Sequence, residues 1–391
     1  MSRSMKTELD EADTRYGKML FFRNDSGALS SSLKEYGEWA DNELTFVRRF
    51  VSHGSVVVDV GAYIGTHTLA FSEFVGNKGQ VFAIEAQPAS YEVLVTNIEA
   101  NNLWNVVPYN AIASNNIGNV IIPTIDTELV SSFGSASLHD ILLYETEQKK
   151  ISTQESEKIK ARSISVDSLN LPSCDLIKID VEGVEDLVLD GARETVGKYA
   201  PAIYCECNSI EDGLRSVAVL RSFGYSVYAH VVKAFNEKNF RGKLNNIFGT
   251  ACEVALVGVP PAKEDVLHSV PPRDIELVLK ICTADDLALA LLNKPQYPAE
   301  ILCQSEAAIS GGSVFLDRIV KQRMDIDRAN TEIYSLHKIV EEKDSNISLL
   351  KEKLSRISIQ VSLMTEQAGI ARKIANKSVS KNIHIDGHKS K

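Results

Sequence analysis

The stretch Val56-Val57-Val58-Asp59-Val60-Gly61-Ala62-Tyr63-Ile64-Gly65 reads as a short buried strand running into a glycine-bearing turn. Thr66–Val75 follows with helical spacing, so the unit is strand, turn, helix. Gly61 lets the backbone adopt torsions that other residues avoid and lets a ligand approach it closely; Gly65 permits tight packing where the helix begins. The first N–H groups of such a helix lack partners within it and attract an anionic group. The glycines are spaced G-x-x-x-G. Tyr63 stands where the dinucleotide fingerprint has its second glycine, which hinders the approach of a pyrophosphate.

Val81–Glu85 is a second strand, followed by a helix from Pro88 to Asn101, with Pro88 in the first turn where its missing N–H is not needed. Val106–Asn110, Leu176–Asp180, Ala202–Glu206, Tyr225–Ala229 and Cys252–Val259 read as further strands. Helical segments at Val184–Val196 and Gly213–Phe223 separate some of them. The alternation predicts a mostly parallel sheet with helices on both faces. Glu85 ends the second strand about 20 residues beyond the glycines, where an acidic side chain can accept hydrogen bonds from both ribose hydroxyls. Lys178-Ile179-Asp180-Val181-Glu182-Gly183 ends the fourth core strand at the carboxyl edge, where open α/β sheets bind ligands. Its two carboxylates either flank a reactive centre or cap the helix near Val184.

A net charge of −10 is the wrong sign for broad phosphate-backbone binding, so nucleic acid is not expected as a partner. Cys205-Glu206-Cys207 is C-x-C inside an apolar run, so these thiols read as structural and no residue is assigned as a metal ligand. The first residues lack the apolar core of a secretory signal, and no run approaches 18 apolar residues. A cytoplasmic protein is the expectation.

Residues 1–49 read as an N-terminal extension or cover and 50–260 as the α/β domain. Within it, 114–165 is rich in Ser, Thr and Asn and then in Glu and Lys, an inserted loop expected near the site. After Pro260-Pro261 and Pro271-Pro272, residues 261–312 read as a short helical linker, with one or two helices in 273–293. Residues 313–365 carry heptads: Ile319, Ile326, Ile333, Val340, Ile347, Leu354 and Val361 at position a, with Leu336, Leu350, Ile357 and Met364 among the d residues. That pattern predicts a parallel coiled-coil homodimer roughly 70 Å long at 1.5 Å per residue. Residues 366–391 read as a disordered tail.

VVVDVGAYIGTHTLAF at 56–71, VFAIEAQP at 81–88 and DLIKIDVEGVEDLVLDGA at 175–192 together resemble the FkbM family of methyltransferases. YGEWADNE at 36–43, SFGSASL at 132–138 and NFRGKLNNIF at 239–248 match more weakly. The resemblance implies a Rossmann-like methyltransferase fold whose antiparallel seventh strand is Cys252–Val259. It also implies S-adenosylmethionine as methyl donor and a hydroxyl on a sugar, polysaccharide or other small molecule as acceptor. The cofactor-binding set is then Asp59, Gly61, Ala62, Tyr63, Gly65, Thr66, Glu85 and Asp180, with Asp59 and Gly61 on the methionine part and Glu85 on the ribose. A hydroxyl acceptor must lose its proton. Asp180, Glu182, Glu206, His139 and His230 are candidates, of which Asp180, Glu206 and His230 are taken as catalytic. Tyr63 departs from the Asn common in the family, and Ala86 from its Pro. An NAD(P)-linked enzyme and a coiled-coil scaffold with a degenerate domain stay open as alternatives. For the coiled coil, docking to a glycan-assembly complex is a further expectation.

Overall fold

The computed structural model describes residues 8–123 and 158–294, together with the helical residues Lys343, Ile347, Leu350, Lys351, Lys353, Leu354 and Ser355. The chain divides into two units, 1–309 and 310–391. Most of the expected coiled coil, the tail, and the insert with His139 and 132–138 lie outside the described residues.

The first unit opens with a hairpin of β1 (Leu9–Thr14) and β2 (Gly17–Phe22), then helices α1 (Ala28–Tyr36) and α2 (Asp41–Val47). The core follows as β3 (Val56–Val60), α3 (Thr66–Val75), β4 (Gln80–Glu85), α4 (Pro88–Ala100) and β5 (Val106–Asn110). A small sheet comes next, of β6 (Ile112–Ala113), β7 (Gly118–Pro123) and β8 (Lys158–Ile164). Then come β9 (Leu176–Ile179), α5 (Glu185–Asp190), α6 (Arg193–Tyr199), β10 (Ala202–Glu206) and α7 (Ile210–Ser222). The unit continues with β11 (Ser226–Lys233), β12 (Cys252–Val259), α8 (Glu264–His268), β13 (Glu276–Lys280) and α9 (Ala284–Leu291).

The main sheet has eight strands in the order β13-β11-β12-β10-β9-β3-β4-β5. From β10 to β5 every neighbour is parallel, whereas β12 runs antiparallel to both β10 and β11. The expected antiparallel strand at Cys252–Val259 is therefore present. Its reversed direction brings its first residues to the edge where the parallel strands end. Alternation along β3 sends Val56, Val58 and Val60 into one apolar cluster and Val57 into the other. The first cluster includes Val188, Val196 and Leu220 of the later helices, the second Phe71 and Leu94 of α3 and α4.

The hairpin is fastened to α4 by two asparagines one turn apart. Asn97 and Asn101 each accept from and donate to one residue of β2, Leu20 and Lys18, at 2.7–2.9 Å. An i, i+4 pair of amides thus stands in for a neighbouring strand. Tyr36 ties the other end down: its hydroxyl donates to the Asn245 carbonyl at 2.6 Å and accepts from Ile247 N–H at 2.7 Å.

Three expectations need correction. Val184–Val196 is two helices, parted at Gly191 and Ala192, and Gly191 packs where a Cβ would overlap the Ser114 carbonyl. The described ends of the 114–165 insert are strands paired through Gly118↔Ser163 to Pro123↔Lys158, not loop. Residues 273–293 hold β13 as well as α9, and β13 closes the sheet on β11. The apolar run Leu277-Val278-Leu279 reads equally as helix or strand, and the salt bridge of Glu276 to Arg49 fixes it at the sheet edge.

Gly61 sits at φ +77° with the Asp180 carbonyl where a Cβ would go. A side chain there strains the fold as well as the cavity. Gly61→Ala should cost about 2–5 kcal/mol, from left-handed strain plus overpacking. Denaturant unfolding reads this; a midpoint equal to wild type would mean the turn tolerates a side chain.

Candidate active site

A cavity of about 570 Å³ opens at the carboxyl edge of β3, β4, β9 and β10. The Gly61–Tyr63 turn, Thr66, His67, Glu85, Asp180, Glu182 and Glu206 all line it. The amino end of β12 adds Glu253, and the N-terminal segment adds Asp25, Trp39 and Glu43. This is the position at which parallel α/β sheets take ligands, since strand ends there give way to turns and helix N-termini.

Lys178 holds the centre together. Its ammonium donates to the Gly61 carbonyl at 3.1 Å and lies 3.4 Å from Asp59 and from Asp180. Burial works against the charge, but Asp180 and Asp59 outweigh it and hold the ammonium protonated. In return Lys178 overrides the burial of Asp180 and keeps that carboxyl below its usual range. Asp59 is fully buried, accepts from the Thr68 hydroxyl at 2.6 Å and does not line the cavity. It acts through Lys178 and Thr68. Gly65 also lies behind the wall, facing Leu94.

Glu85 is committed on both oxygens. Oε2 accepts Tyr63 N–H at 2.8 Å and Oε1 accepts Gln87 N–H at 2.7 Å. Each oxygen keeps one lone pair for a ligand donor. Burial pushes its pKa up to about 7. Tyr63 adopts φ +49°, and its hydroxyl donates to Asp25 at 3.2 Å, so the residue that departs from the family pattern links the turn to the N-terminal cover.

Oxygens of Asp180, Glu182 and Glu206 come within 4.8 Å of one another, a spacing that could hold a cation. Glu182 is in the left-handed region at φ +57°. Burial and the Asp180 charge raise Glu182 to about 8 and Glu206 well above its usual value. Glu206 Oε2 is buried without a hydrogen-bond partner, which fits a neutral carboxyl. Neither Asp180 nor Glu182 caps α5, whose N-cap is Val184 without a side-chain bond; Glu185 accepts Gly183 N–H instead. The capping alternative is therefore not realised.

His230 is displaced from its expected role. Its side chain is fully buried outside the cavity, stacked on Phe46 at 3.9 Å, and it reaches the wall only through the Tyr204 hydroxyl at 3.0 Å. The strand expected to end at Ala229 runs on to Lys233, so His230 stands within β11 and packs between the sheet and Phe46. Residues that sequence reading missed are Lys178, Glu43, Tyr204, Glu253 and Lys294. Lys294 is buried, 2.6 Å from Asn208 and 3.1 Å from Glu253. Lys178 had a signal, standing inside the 175–192 motif, and Glu43 a weaker one, closing the 36–43 stretch.

Lys178→Met should destabilise the fold by about 3–5 kcal/mol, because it leaves Asp59 buried and unpaired. Adding Asp59→Asn should recover much of that. Thermal or denaturant unfolding of the single and double variants checks it; purely additive losses would refute the pairing.

No curated protein matches the chain. A FkbM methyltransferase from Methylobacillus flagellatus aligns at 16% identity and TM-score 0.35, over 53% of this chain and 44% of its own. The precorrin-6y C5,15-methyltransferase of Geobacter metallireducens aligns at 14% and 0.34, over 56% and 86%. Aeropyrum pernix fibrillarin, solved with natively bound S-adenosylmethionine, aligns at 12% and 0.33, over 65% and 100%. Residues 59–241 match the model of the methyltransferase FkbM domain, a span that holds the glycine turn, Glu85, Lys178, Asp180 and Glu206 and leaves out Glu43, Glu253 and Lys294.

Proposed function

We propose that the chain transfers a methyl group from S-adenosylmethionine to a hydroxyl of a small molecule, a sugar or polysaccharide unit being the acceptor class that the family resemblance suggests. The observation that carries this reading is the meeting of three groups in one cavity: the Gly61–Tyr63 turn, Glu85, and Asp180 with Glu206. The residues suit the cofactor. Glu85 keeps a free lone pair on each oxygen for ribose hydroxyls, and the first N–H groups of α3 have no side-chain cap and are available to a carboxylate. Asp180, kept ionised by Lys178, offers a negative charge on the acceptor side of the turn. S-adenosylmethionine supplies the methyl on a sulfonium; the chain supplies proximity, alignment and a place for the acceptor's proton.

The strand order divides the cavity. β3 and β4 present the turn and Glu85, while β9, β10 and β12 present Asp180, Glu206 and Glu253. The cofactor accordingly sits over the first pair and the acceptor over the second group.

Calorimetric titration with S-adenosylhomocysteine tests the reading; absence of binding would sink it. Because Glu85 has its pKa near 7, its carboxylate is lost as pH falls through that value, and with it the better acceptor for ribose hydroxyls. Affinity should be severalfold tighter at pH 8 than at pH 6, within the roughly tenfold set by about one pH unit on each side. Glu85→Gln should bind more weakly and lose this pH dependence.

Assembly belongs to the same proposal. Ile347, Leu350 and Leu354 are helical and exposed, at heptad positions a, d and a. Apolar residues repeated on one helix face support the pairing of two copies through residues 313–365. Sedimentation at micromolar concentration should show a dimer that becomes a monomer when 313–391 are removed; a full-length monomer would refute the pairing. Among the described residues no helix is long and apolar enough to cross a membrane. Action in the cytoplasm is part of this proposal.

A further inference from the structure

A line of polar side chains leads from the cavity wall into the protein. It begins at Glu43 on α2, outside the span that matches the family model. Glu43 Oε2 lies 3.2 Å from the Tyr204 hydroxyl, which lies 3.0 Å from His230 Nδ1. His230 Nε2 is 3.5 Å from Glu276 Oε2. Arg49 at 2.7 Å and Arg273 at 2.6 Å grip Glu276, and Arg273 also donates to the carbonyl of Asn42, beside Glu43, at 2.7 Å. The His230 and Glu276 side chains are wholly buried.

Counting hydrogens sets the direction of each bond. Two guanidinium groups keep Glu276 ionised, so it only accepts. His230 Nε2 must therefore carry hydrogen. Burial holds the ring neutral, so Nδ1 is bare and takes the one hydrogen Tyr204 has. The Tyr204 oxygen is left with lone pairs facing Glu43. With Tyr204 turned to Nδ1, Glu43 bonds to it only as a carboxylic acid; with the Tyr204 hydroxyl turned to Glu43 Oε2, at 3.2 Å, it donates to a carboxylate. If two protons move in step, from Glu43 to Tyr204 and from Tyr204 to Nδ1, the same hydrogens give a Glu43 carboxylate. The imidazolium then lies between Tyr204 and Glu276.

We infer that Glu43 takes the proton from the methyl acceptor, and that Tyr204, His230 and Glu276 are positioning residues that set whether its carboxyl is charged. The inference rests on the methyltransferase reading. The acceptor's O–H bond breaks with its proton going to Glu43, the oxygen's electron pair bonds to the methyl carbon, and the carbon–sulfur pair leaves with sulfur. Besides Tyr204, Glu43 faces Glu253 from β12, and Asp180 and Lys178 at the end of β9. Burial and the two carboxylates push it up to about 8, while the Tyr204 bond and Lys178 pull it down. The free base therefore grows as pH rises toward that value.

Nitrogen-15 NMR of the full chain reads the relay without any acceptor. At neutral pH the ring missing in His230→Gln should be neutral with its hydrogen on Nε2. Hydrogen on Nδ1, or an imidazolium, overturns the inferred direction. Transfer from tritiated S-adenosylmethionine to a small-molecule extract of the source cells reads the chemistry. Glu43→Gln should lower it about 100-fold or more, with S-adenosylhomocysteine affinity within about twofold of wild type and partial recovery in Glu43→Asp. Tyr204→Phe removes the hydroxyl whose bond lowers Glu43, so the rising limb of the pH profile should move to higher pH. A limb that stays or moves down overturns the relay. Undiminished transfer by Glu43→Gln overturns the role of Glu43 and leaves the methyltransferase reading standing; a wild type that neither binds nor transfers overturns both.

Discussion

The contact on which the site depends is that of Gly61 with the end of β9. No side chain fits between the Gly61 α-carbon and the Asp180 carbonyl, so the turn after β3 and the turn after β9 meet as bare backbone. Lys178 locks the meeting by bonding the Gly61 carbonyl and pairing with Asp59 below and Asp180 above. A buried ammonium with two carboxylates and a carbonyl is tolerable only because every partner is supplied by the same two strands. The adjacency of β3 and β9 therefore carries both the fold and the orientation of Asp180.

Around that centre the N-terminal segment does more than cover the cavity. The hairpin is held on α4 by Asn97 and Asn101, and the Tyr63 hydroxyl reaches Asp25 just beyond the hairpin. Glu38 receives Arg15, Asn236 and the Phe240 N–H, so the segment is bound to the 236–248 loop as well. These bonds join two of the three weakly matching stretches, 36–43 and 239–248, and they place Trp39 and Glu43 on the wall. Together the segment and loop form one wall built from sequence far apart.

Much of the fold was legible because it is local. Val56–Val60 alternates between two apolar clusters, Thr66–Val75 begins where Gly65 ends the turn, and Glu85 closes β4, all within one stretch of chain. What escaped was non-local or ambiguous. Glu43 and Tyr204 are 161 positions apart, and nothing near either one announces the other. His230 stands on a strand whose inward and outward faces are both apolar, so its face could not be assigned from alternation. The tight packing of Gly191, at the break between two helices, is against Ser114, on a distant turn.

Charge supplies the last constraint. Glu43, Asp180, Glu182, Glu206 and Glu253 share a cavity with two lysines, Lys178 and Lys294. Five carboxylates cannot all ionise in so small a space at tolerable cost. Burial settles the competition by keeping Glu43, Glu182 and Glu206 toward their neutral forms, whereas Asp180 is spared because Lys178 is beside it. Glu253 has Lys294 at 3.1 Å. The negative charge on the wall is thus concentrated at the end of β9, next to the glycine turn. On the proposed methyltransferase reading, a cationic methyl donor at that turn would meet the Asp180 carboxylate, with the neutral carboxyls beyond it on the acceptor's side.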